Sequence, residues 1–416
     1  MQLSAAGINK PAMTGIRSIM EDIASATAEG GRWLNLSPGN PAAIPEAAEI
    51  WRRLAEQSIT ETFEASTRYG PSRGTVGLVD AIVRHFRSRY GWDIGPDNVA
   101  VAAGAQLLAF MATTIFTGTT PHHRRPLVLP CTPDYTGYHG LSLAPDGIVG
   151  IEPVVEVLDD RHFRYRLSPE ALHQQAEMGM MLVSNPANPS GRGLTSAELD
   201  LLVEVATERE VPLVVDNAYG EPFPRVAESP SGPRFHPHVL NLFTASKAGI
   251  PGERIAFAIG APEIVDAIVA FTANVALHPP QLIQSVLERS LADGALDALS
   301  RDVLRPYYMR KRKLAEAMLA QHLPAAVNWR LHASEGGMFC WLWIDDPRFD
   351  DLAFYEEMKR NNVFIVPGRH FFVAPLTTPF LSTHGTRCIR LSLSPELPVF
   401  DEGIARVGKM LSEFLS

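Results

Sequence analysis

Residues 239–254 read Val-Leu-Asn-Leu-Phe-Thr-Ala-Ser-Lys-Ala-Gly-Ile-Pro-Gly-Glu-Arg, an apolar strand followed by Lys247 and, seven residues later, by Arg254. A lysine amine is a nucleophile only when it is neutral, and a partly desolvated site that already holds a cation favours the neutral form. A solvated lysine after a strand would show the same local pattern, since lysine is rarely fully buried. The choice between these interpretations therefore depends on the neighbouring segments.

Two upstream segments repeat the pattern of a buried strand that leads to a polar residue. Residues 211–216 (Val-Pro-Leu-Val-Val-Asp) end in Asp216, and residues 180–184 (Met-Met-Leu-Val-Ser) lead to Asn188 in a turn rich in Asn, Pro and Gly. Such apolar runs are typical of parallel strands, and open sheets of this kind bind ligands at their carboxyl edge. An aspartate there can pair with a protonated pyridine nitrogen and keep the ring an electron sink. Together the three segments favour a functional role for Lys247.

Three ordered motifs contain these residues: Asn185-Pro-Ala-Asn-Pro-Ser-Gly191, Asp216-Asn-Ala-Tyr219, and Ser246-Lys followed after six residues by Arg254. In this order they resemble the fold-type I, class I pyridoxal phosphate aminotransferases. Further segments, spread nearly from end to end, resemble the branch of this family that exchanges amino groups between valine and pyruvate: residues 13–22, 36–46, 133–138, 216–224 and 366–372. The resemblance implies an α/β fold, with a large domain on a mostly parallel seven-stranded sheet and a smaller α+β domain.

The resemblance implies pyridoxal 5'-phosphate as cofactor and assigns contacts to its ring. Lys247, Asp216 and Tyr219 are the predicted catalytic residues, with Lys247 holding the cofactor and moving the substrate proton, and Asp216 binding the pyridine nitrogen. Tyr135 is predicted to stack on the ring, although a packing tyrosine is the alternative. Tyr219 and Asn188 are predicted to hydrogen-bond the phenolate oxygen of the cofactor.

The cofactor phosphate is expected at a helix start, where backbone N–H groups point at an anion. The segment Val101-Ala-Ala-Gly-Ala-Gln106 supplies a strand, a turn and a helix start, but alone it would suit any strand-to-helix turn. The resemblance implies that the N–H groups of Ala105 and Gln106 bind the phosphate together with Thr244 and Arg254. It also implies that Tyr69 reaches the phosphate of the neighbouring subunit, which predicts a homodimer.

An α-carboxylate substrate requires a planar, two-pronged donor, which arginine supplies better than lysine. Arg390 lies in an apolar strand, where an unpaired charge would be costly, so it should have a partner. The predicted partner is the substrate carboxylate, with an internal salt bridge as the alternative. The resemblance implies that Gly39 adds a backbone N–H and that Asn188 approaches the same carboxylate.

The predicted reaction is amino transfer between a small aliphatic amino acid, of the valine or alanine type, and a 2-oxo acid such as pyruvate. This prediction depends on the lack of an obvious second arginine and on apolar residues that could equally be core: Ile16, Ile19, Met20 and residues 42–44. The segment from Asn274 to Gln281 departs from the branch pattern, so His278 is either a loop histidine or a specificity residue. Elimination or replacement, for example on a sulfonium amino acid, is the main alternative, and a cofactor-sensing regulator is a weaker one.

Composition agrees with a water-soluble enzyme. The chain has 416 residues, of which 46% are hydrophobic and 20% charged, and its net charge of −9 does not favour a nucleic-acid surface. No basic start with an apolar stretch opens the chain, so no signal peptide or membrane anchor is predicted, and a cytoplasmic location is expected. Three scattered cysteines, Cys131, Cys340 and Cys388, predict neither a disulfide framework nor a metal site.

Alternating strands and helices predict the domain organisation. Strands are predicted at residues 99–102, 126–130, 180–184, 211–215, 239–244 and 255–259, with helices at 105–116 and 196–210. After a long helix at about 295–322, the pattern changes to strands at 327–332, 337–344, 363–366 and 388–393, with helices at 352–361 and from about 400. We therefore expect an N-terminal arm (1–45) that packs with the small domain, a large cofactor domain (46–300) and a small domain (301–416), with the active site between the domains.

Overall fold

The structure is a computed structural model that describes residues 2, 4, 6–7, 15–119, 123–227, 231–334, 336–373 and 378–416. At residues 15–18, 27, 29 and 119 only the backbone is described, so the predicted pocket residue Ile16 lies outside the described side chains. Among the described residues, no helix combines the length and the apolar character needed to cross a lipid bilayer.

Thirteen α-helices longer than three residues occur within the described ranges. They are α1 (Gly15–Glu29), α2 (Pro45–Thr62), α3 (Val76–Tyr90), α4 (Ala105–Phe116), α5 (Pro169–Gln174), α6 (Ser196–Glu208), α7 (Pro262–Val275), α8 (Gln281–Ala292), α9 (Ala295–Ala298), α10 (Arg305–His322), α11 (Asp351–Arg360), α12 (Pro379–Thr383) and α13 (Leu397–Phe414). A π-helical turn, Leu299–Leu304, joins α9 to α10, so the long helix predicted near 295–322 is nearly continuous.

The strands are numbered along the chain in the same way. They are β1 (Leu34–Asn35), β2 (Val99–Ala102), β3 (Gly118–Thr119), β4 (Arg124–Arg125), β5 (Leu127–Leu129), β6 (Ile148–Gly150), β7 (Val154–Val157), β8 (His162–Arg166), β9 (Met180–Ser184), β10 (Leu213–Asp216), β11 (Val239–Thr244), β12 (Ala256–Ile259), β13 (Trp329–His332), β14 (Phe339–Ile344), β15 (Val363–Phe364), β16 (Val366–Pro367) and β17 (Cys388–Ser392).

A seven-stranded sheet forms the centre of the large domain, with the strand order β2-β12-β11-β10-β9-β5-β6. Only β12 runs antiparallel to its neighbours, so the predicted mostly parallel sheet is confirmed. Alternate residues of β9 enter different apolar clusters, Met180 and Leu182 on one face and Met181 and Val183 on the other. Because both faces are covered, the strand is apolar throughout rather than alternating.

A six-stranded sheet lies in the C-terminal part, with the order β16-β17-β14-β13-β8-β7. Its strands β7 and β8, residues 154–166, come from the middle of the chain, and β8 pairs in parallel with β13. No strand is predicted for this segment from the sequence. The chain therefore leaves the seven-stranded sheet after β6, contributes a hairpin to the second sheet, and returns at β9.

The N-terminal arm contacts the C-terminal part of the chain. Strand β1 pairs in parallel with β15. The Tyr355 hydroxyl donates to the Asp22 carboxylate at 2.7 Å, and the Lys359 amine lies 3.2 Å from the same oxygen. Helix α1 is thereby held against α11.

Local chemistry explains where α6 begins and ends. The Thr195 hydroxyl accepts from the Glu198 N–H at 3.2 Å, and the Glu198 carboxylate accepts from the Thr195 N–H at 2.9 Å, which is a capping box. The helix ends at Glu208, two residues before the prediction, and Glu210 has a left-handed φ of 50° that does not continue a helix.

Candidate active site

Two neighbouring cavities lie at the carboxyl edge of β9, β10 and β11, with volumes of about 260 and 640 Å³. Both are lined by Asn40, Gln106, Tyr135, Tyr219 and Lys247; the smaller adds Ala105, Asp216, Thr244 and Arg254, and the larger adds Gly39, Asn188 and Arg390. These three strands are adjacent and parallel, so their carboxyl ends meet. Every residue predicted for the site, except Tyr69, lines one of the two cavities.

Lys247 lies in a short 3-10 turn, Ser246–Ala248, that follows β11. Its amine donates to the Gly39 carbonyl at 2.8 Å and lies 5.6 Å from the centre of the Tyr219 ring. Burial, and then the positive charge of Arg390, lower the pKa of Lys247 to about 8, while Asp216 acts in the opposite direction. About a tenth of this amine is therefore neutral and nucleophilic at pH 7, compared with well under a thousandth of an ordinary lysine.

Asp216 is the last residue of β10, and 7% of it is exposed. Its carboxylate accepts from the Tyr138 hydroxyl at 2.9 Å and from the Ala218 N–H at 3.0 Å. Burial raises the pKa of Asp216, whereas the two hydrogen bonds and the charge of Lys247 favour the ionised form. The arrangement presents a buried carboxylate that a protonated ring nitrogen would stabilise.

Tyr138 is a site residue that the sequence analysis missed. It lies in the turn Thr136–Gly140, three residues after Tyr135, and the two rings meet edge to face at 5.2 Å. One turn of 3-10 helix places Tyr138 on the same side as Tyr135, but its partner Asp216 lies 78 residues further along the chain, so no local pattern indicated the contact. Tyr135 thus lines both cavities and packs against the residue that donates to Asp216.

The start of α4 and Arg254 together line a cup in the smaller cavity. Gly104 precedes the helix with a φ of 97°, which favours glycine, and a Cβ there would displace the Arg254 guanidinium from its present position. The first intrahelical bond is donated by the Leu107 N–H, so the N–H groups of Ala105 and Gln106 precede it. Unpaired N–H groups at a helix start and an arginine favour a phosphate.

The Thr244 hydroxyl, which was predicted to bind the phosphate, is hydrogen-bonded within the protein. The Thr244 hydroxyl lies 2.8 Å from the Ile255 carbonyl and 2.9 Å from the Ser246 hydroxyl, so its proton serves the protein's own turn. Ser246, which the sequence analysis did not select, lies between Thr244 and Arg254, with its hydroxyl 3.4 Å from Arg254 Nη1. The serine beside Lys247 therefore contributes a hydroxyl next to the guanidinium.

Arg390 lies in β17 and is 3% exposed. Its guanidinium donates to the Asn188 side-chain oxygen at 3.1 Å and to the Ser37 carbonyl at 2.7 Å, and it lies 4.2 Å from the centre of the Phe339 ring. These partners are neutral, and the buried Nε has no hydrogen-bond partner among the described residues. Burial lowers the pKa of Arg390 to about 10, which leaves it charged at pH 7. An anion in the cavity would supply the missing partner.

The remaining predicted residues surround this guanidinium and Lys247. The Asn188 side-chain N–H lies 3.4 Å from the Tyr219 hydroxyl, and burial raises the pKa of that hydroxyl. Gly39 contacts Lys247 through its carbonyl oxygen, and the predicted contact of its N–H with a substrate carboxylate stays a prediction. A single chain thus brings together the groups expected to bind a substrate carboxylate and a ring oxygen.

Tyr69 lies apart from both cavities. It is 85% exposed, and its ring meets His278 edge to face at 5.8 Å. The Gln281 side-chain N–H donates to the Ala65 carbonyl at 2.9 Å and to that of Arg68. In one chain, His278 and Gln281 therefore support the Tyr69 loop and line neither cavity near Lys247.

Comparisons with known proteins agree with this geometry. The profile of the family described as aminotransferase class I and II matches residues 32–403. The valine–pyruvate aminotransferase of Escherichia coli is 31% identical over 96% of this chain and 94% of its own length. The crystal structure of the valine–pyruvate aminotransferase of Salmonella typhimurium superposes with a TM-score of 0.86 at 29% identity, covering 96% of this chain and 99% of that one.

A third likeness extends over the whole chain. A solved structure from Psychrobacter arcticum, provisionally assigned as an amino-acid aminotransferase, has a TM-score of 0.94 at 27% identity and covers 100% of this chain and 99% of its own. The relatives from Escherichia coli and Salmonella typhimurium are both named as aminotransferases, which favours amino transfer over elimination or replacement. The predicted fold type and cofactor are confirmed, and the chain belongs to the class I and II aminotransferases, enzymes that depend on pyridoxal 5'-phosphate.

Proposed function

We propose that this aminotransferase moves an amino group between a small aliphatic amino acid, of the valine or alanine type, and a 2-oxo acid such as pyruvate. The observation that carries the proposal is the buried guanidinium of Arg390, which has neutral partners and lines the same cavity as Lys247. Of the described residues that line this cavity, only these two carry a charge, while Ile19, Met20 and Ile23 contribute apolar surface. A substrate with a single carboxylate and an aliphatic side chain would match this combination of a guanidinium and apolar surface.

The residues at the smaller cavity fit pyridoxal phosphate. Asp216 would bind the pyridine nitrogen, Tyr135 would stack on the ring, and Tyr219 and Asn188 would bind its phenolate oxygen. The phosphate would lie at the N–H groups of Ala105 and Gln106, with Arg254, Ser246 and Thr244 around it. When bound, the cofactor supplies an electron sink for the carbanion left at the substrate Cα.

The protein's own groups would orient the substrate and move its proton. Arg390 binds the α-carboxylate, with Asn188 and the Gly39 segment beside it, so that Cα faces the Lys247 amine. Lys247 then removes the proton from Cα as a general base and returns it as a general acid. Ile19, Met20 and Ile23 of the N-terminal helix α1 line the apolar side of the cavity.

A panel of amino donors tests this substrate assignment. With pyruvate as acceptor, we expect turnover with valine and other small aliphatic amino acids, and much lower turnover with aspartate and glutamate, whose distal carboxylate would meet the apolar wall. The keto acid products are identified by mass spectrometry. Release of ammonia, or loss of a γ-substituent, would contradict the proposal, as would a preference for acidic donors.

Replacing Arg390 with alanine is expected to weaken the binding of every amino acid and keto acid by a similar factor. Removing one partner of a buried charge pair costs about 2–5 kcal/mol, or roughly 30-fold and more in the apparent binding constant. Selectivity among side chains should survive, because the carboxylate is common to all substrates and the pocket distinguishes their methylenes. Steady-state kinetics with a series of substrates measures both effects.

Arg387 is the matched control for this variant, because it lies three residues earlier and is half-buried outside the cavities. Arg387→Ala should leave the binding constants within about twofold of the wild type, as expected for a surface substitution. If Arg390→Ala impairs one class of side chain only, or if Arg387→Ala gives the uniform loss, the carboxylate assignment is wrong.

The pH dependence of cofactor binding should follow the lowered pKa of Lys247. Because burial stabilises the neutral amine, the reactive fraction rises with pH around a midpoint near 8, well below the ordinary lysine value of 10.5. The rate at which the apoenzyme binds pyridoxal phosphate covalently should therefore increase through pH 8 and level off above it. Stopped-flow absorbance measures this rate, and a midpoint above about 10 would show an ordinary solvated lysine.

We further propose a homodimer in which each chain completes the other's phosphate site with Tyr69. An apolar groove of about 780 Å³ adjoins the phosphate cup and is lined by Trp51, Ile59, Ile283 and Arg254, among others. Other exposed apolar side chains are Phe63, Val76, Val275 and Leu277. A large exposed apolar face is typical of a protein interface. We also propose a cytoplasmic location and domain limits at residues 45 and 300.

Mixing two impaired variants tests the contribution of Tyr69. In a mixed dimer of Tyr69→Ala and Lys247→Ala chains, one site has an intact Lys247 and receives Tyr69 from the other chain. We expect cofactor affinity and turnover to be restored at that site, because both groups act across the interface. Tyr69→Ala alone should bind the cofactor more weakly. Lack of restoration on mixing, or a monomeric mass by light scattering, would contradict the proposal.

A further inference from the structure

Asp134 is a fully buried acid next to the predicted stacking residue Tyr135, and no step of the proposed reaction uses it. One carboxylate oxygen accepts from the Tyr135 N–H at 2.6 Å and from the Ser184 hydroxyl. The other oxygen accepts from the Ser184 N–H at 3.1 Å. The side chain thus joins the turn that carries Tyr135 to the carboxyl end of β9.

These contacts require a carboxylate rather than any small polar residue. An ionised carboxylate only accepts hydrogen bonds, and here it receives three donors on its two oxygens. An asparagine has the same shape, but its NH₂ group would replace one of the two oxygens. It would then face either the Ser184 N–H or the Tyr135 N–H and the Ser184 hydroxyl, and could not accept from them. Burial raises the pKa of Asp134 to about 7, while the donors from Ser184 and Tyr135 and the charge of Arg192 favour its ionised form.

The backbone of Asp134 also contacts the C-terminal part of the chain, which contains the six-stranded sheet. Its N–H donates to the Phe371 carbonyl at 3.1 Å, and the Phe371 ring lies 5.1 Å from the Arg390 guanidinium. On its other side, Tyr135 meets Tyr138, the donor to Asp216. The residue therefore lies where the stacking ring, the end of β9 and the carboxylate-binding region come together.

We propose that Asp134 is a positioning residue that fixes the Tyr135 ring in the plane needed to stack on the pyridine ring of the cofactor. Its two oxygens tie the Tyr135 backbone to the end of β9, which fixes the position from which the ring extends. Ring stacking acts only within a narrow range of offset and angle, so an orientation fixed in advance strengthens it. The inference rests on the proposed placement of the cofactor on Tyr135.

A double-mutant cycle with Asp134→Asn and Tyr135→Leu tests this role. Aromatic stacking contributes roughly two- to tenfold in affinity, so Tyr135→Leu and Asp134→Asn should each weaken cofactor binding to the apoenzyme by a factor in this range. In the Tyr135→Leu background, Asp134→Asn should have an effect below about twofold, because the ring through which it acts is gone. Circular dichroism of the bound cofactor, which reports ring orientation, should change in Asp134→Asn.

Asp351→Asn is the matched control, since Asp351 is also fully buried, burial raises its pKa to about 7 as well, and it lies in α11 with Arg369 as its partner. It should lower the melting temperature without changing the cofactor's dichroism or affinity. If Asp134→Asn does not fold, Ser184→Ala removes one donor and keeps the carboxylate, and it should give a smaller change of the same kind.

The outcomes separate this inference from the proposed function. If Asp134→Asn weakens binding equally with and without the Tyr135 ring, or leaves the dichroism unchanged, Asp134 does not act through Tyr135 and the inference is wrong. If Tyr135→Leu itself leaves the affinity unchanged, the cofactor does not stack on Tyr135, and the proposed placement fails instead.

Discussion

Lys247→Ala is expected to lose turnover by more than about 10³-fold, because the same amine holds the cofactor and moves the substrate proton. General acid–base catalysis alone contributes about 10²–10⁴-fold, and loss of the covalent attachment adds to this. The variant should still bind pyridoxal phosphate without a covalent bond, since the phosphate cup and Asp216 remain. Borohydride reduction followed by peptide mapping should label Lys247 in the wild type and give no label in the variant.

Lys311 is the matched control for this substitution. Burial lowers its pKa to about 8, as for Lys247, but its amine donates to the Pro395 carbonyl and the Tyr307 hydroxyl, away from both cavities. Lys311→Ala should therefore keep the borohydride label and most of the turnover. A wild-type label on Lys311, Lys313 or Lys359 would contradict the assignment of Lys247.

Asp216→Ala is expected to keep the covalent attachment at Lys247 but to slow removal of the substrate's α-proton by about 10²–10⁴-fold. Breaking a buried charge pair costs about 3–5 kcal/mol, and each 1.36 kcal/mol is a factor of ten in rate. The physical reason is that the pyridine nitrogen would no longer be held protonated. The rate of loss of deuterium from substrate labelled at Cα measures this step.

Tyr138→Phe provides a graded comparison, because it removes only the 2.9 Å hydrogen bond to Asp216. A hydrogen bond to a charged group contributes about 1.5–3 kcal/mol, so the rate of α-proton removal is expected to fall by roughly 10- to 100-fold. An effect of Asp216→Ala below about fivefold would show that this carboxylate is structural, whatever Tyr138→Phe does.

The central sheet and most of the cavity residues could be predicted from the sequence, because their signals are local. β2, β9 and β11 are continuous apolar runs ended by turn residues, and their predicted limits agree with the structure. Once these strands are adjacent and parallel, the residues that follow them must meet at one edge. The convergence of Asn188, Asp216 and Lys247 follows from that.

The hairpin of β7 and β8 could not be predicted in the same way. Val154 and Val157 are about half exposed, so β7 lacks the apolar run that marked the central strands. The partner strand β13 begins 163 residues after the end of β8 in the chain, and no local pattern identifies such a partner. Which sheet a half-buried strand joins depends on packing across the whole molecule.

The contacts that support the site were also beyond local signals. Tyr138 and Asp216 are 78 residues apart, and Asp134 and Ser184 are 50 apart. For Arg390, the sequence indicated that a buried guanidinium needs a partner, but not that its protein partners are a side-chain amide and a carbonyl. Long-range contacts of this kind depend on tertiary packing and not on residue pattern.

Transfer of ¹⁵N from valine to pyruvate is the most direct test of amino transfer at this site. The holoenzyme is mixed with ¹⁵N-labelled L-valine and pyruvate, and the products are identified by mass spectrometry. We expect ¹⁵N-alanine and the keto acid of valine in equal amounts, with both absent in Lys247→Ala. Appearance of the label as ammonia, or failure of valine and every other small aliphatic donor to aminate pyruvate, would contradict amino transfer of this kind.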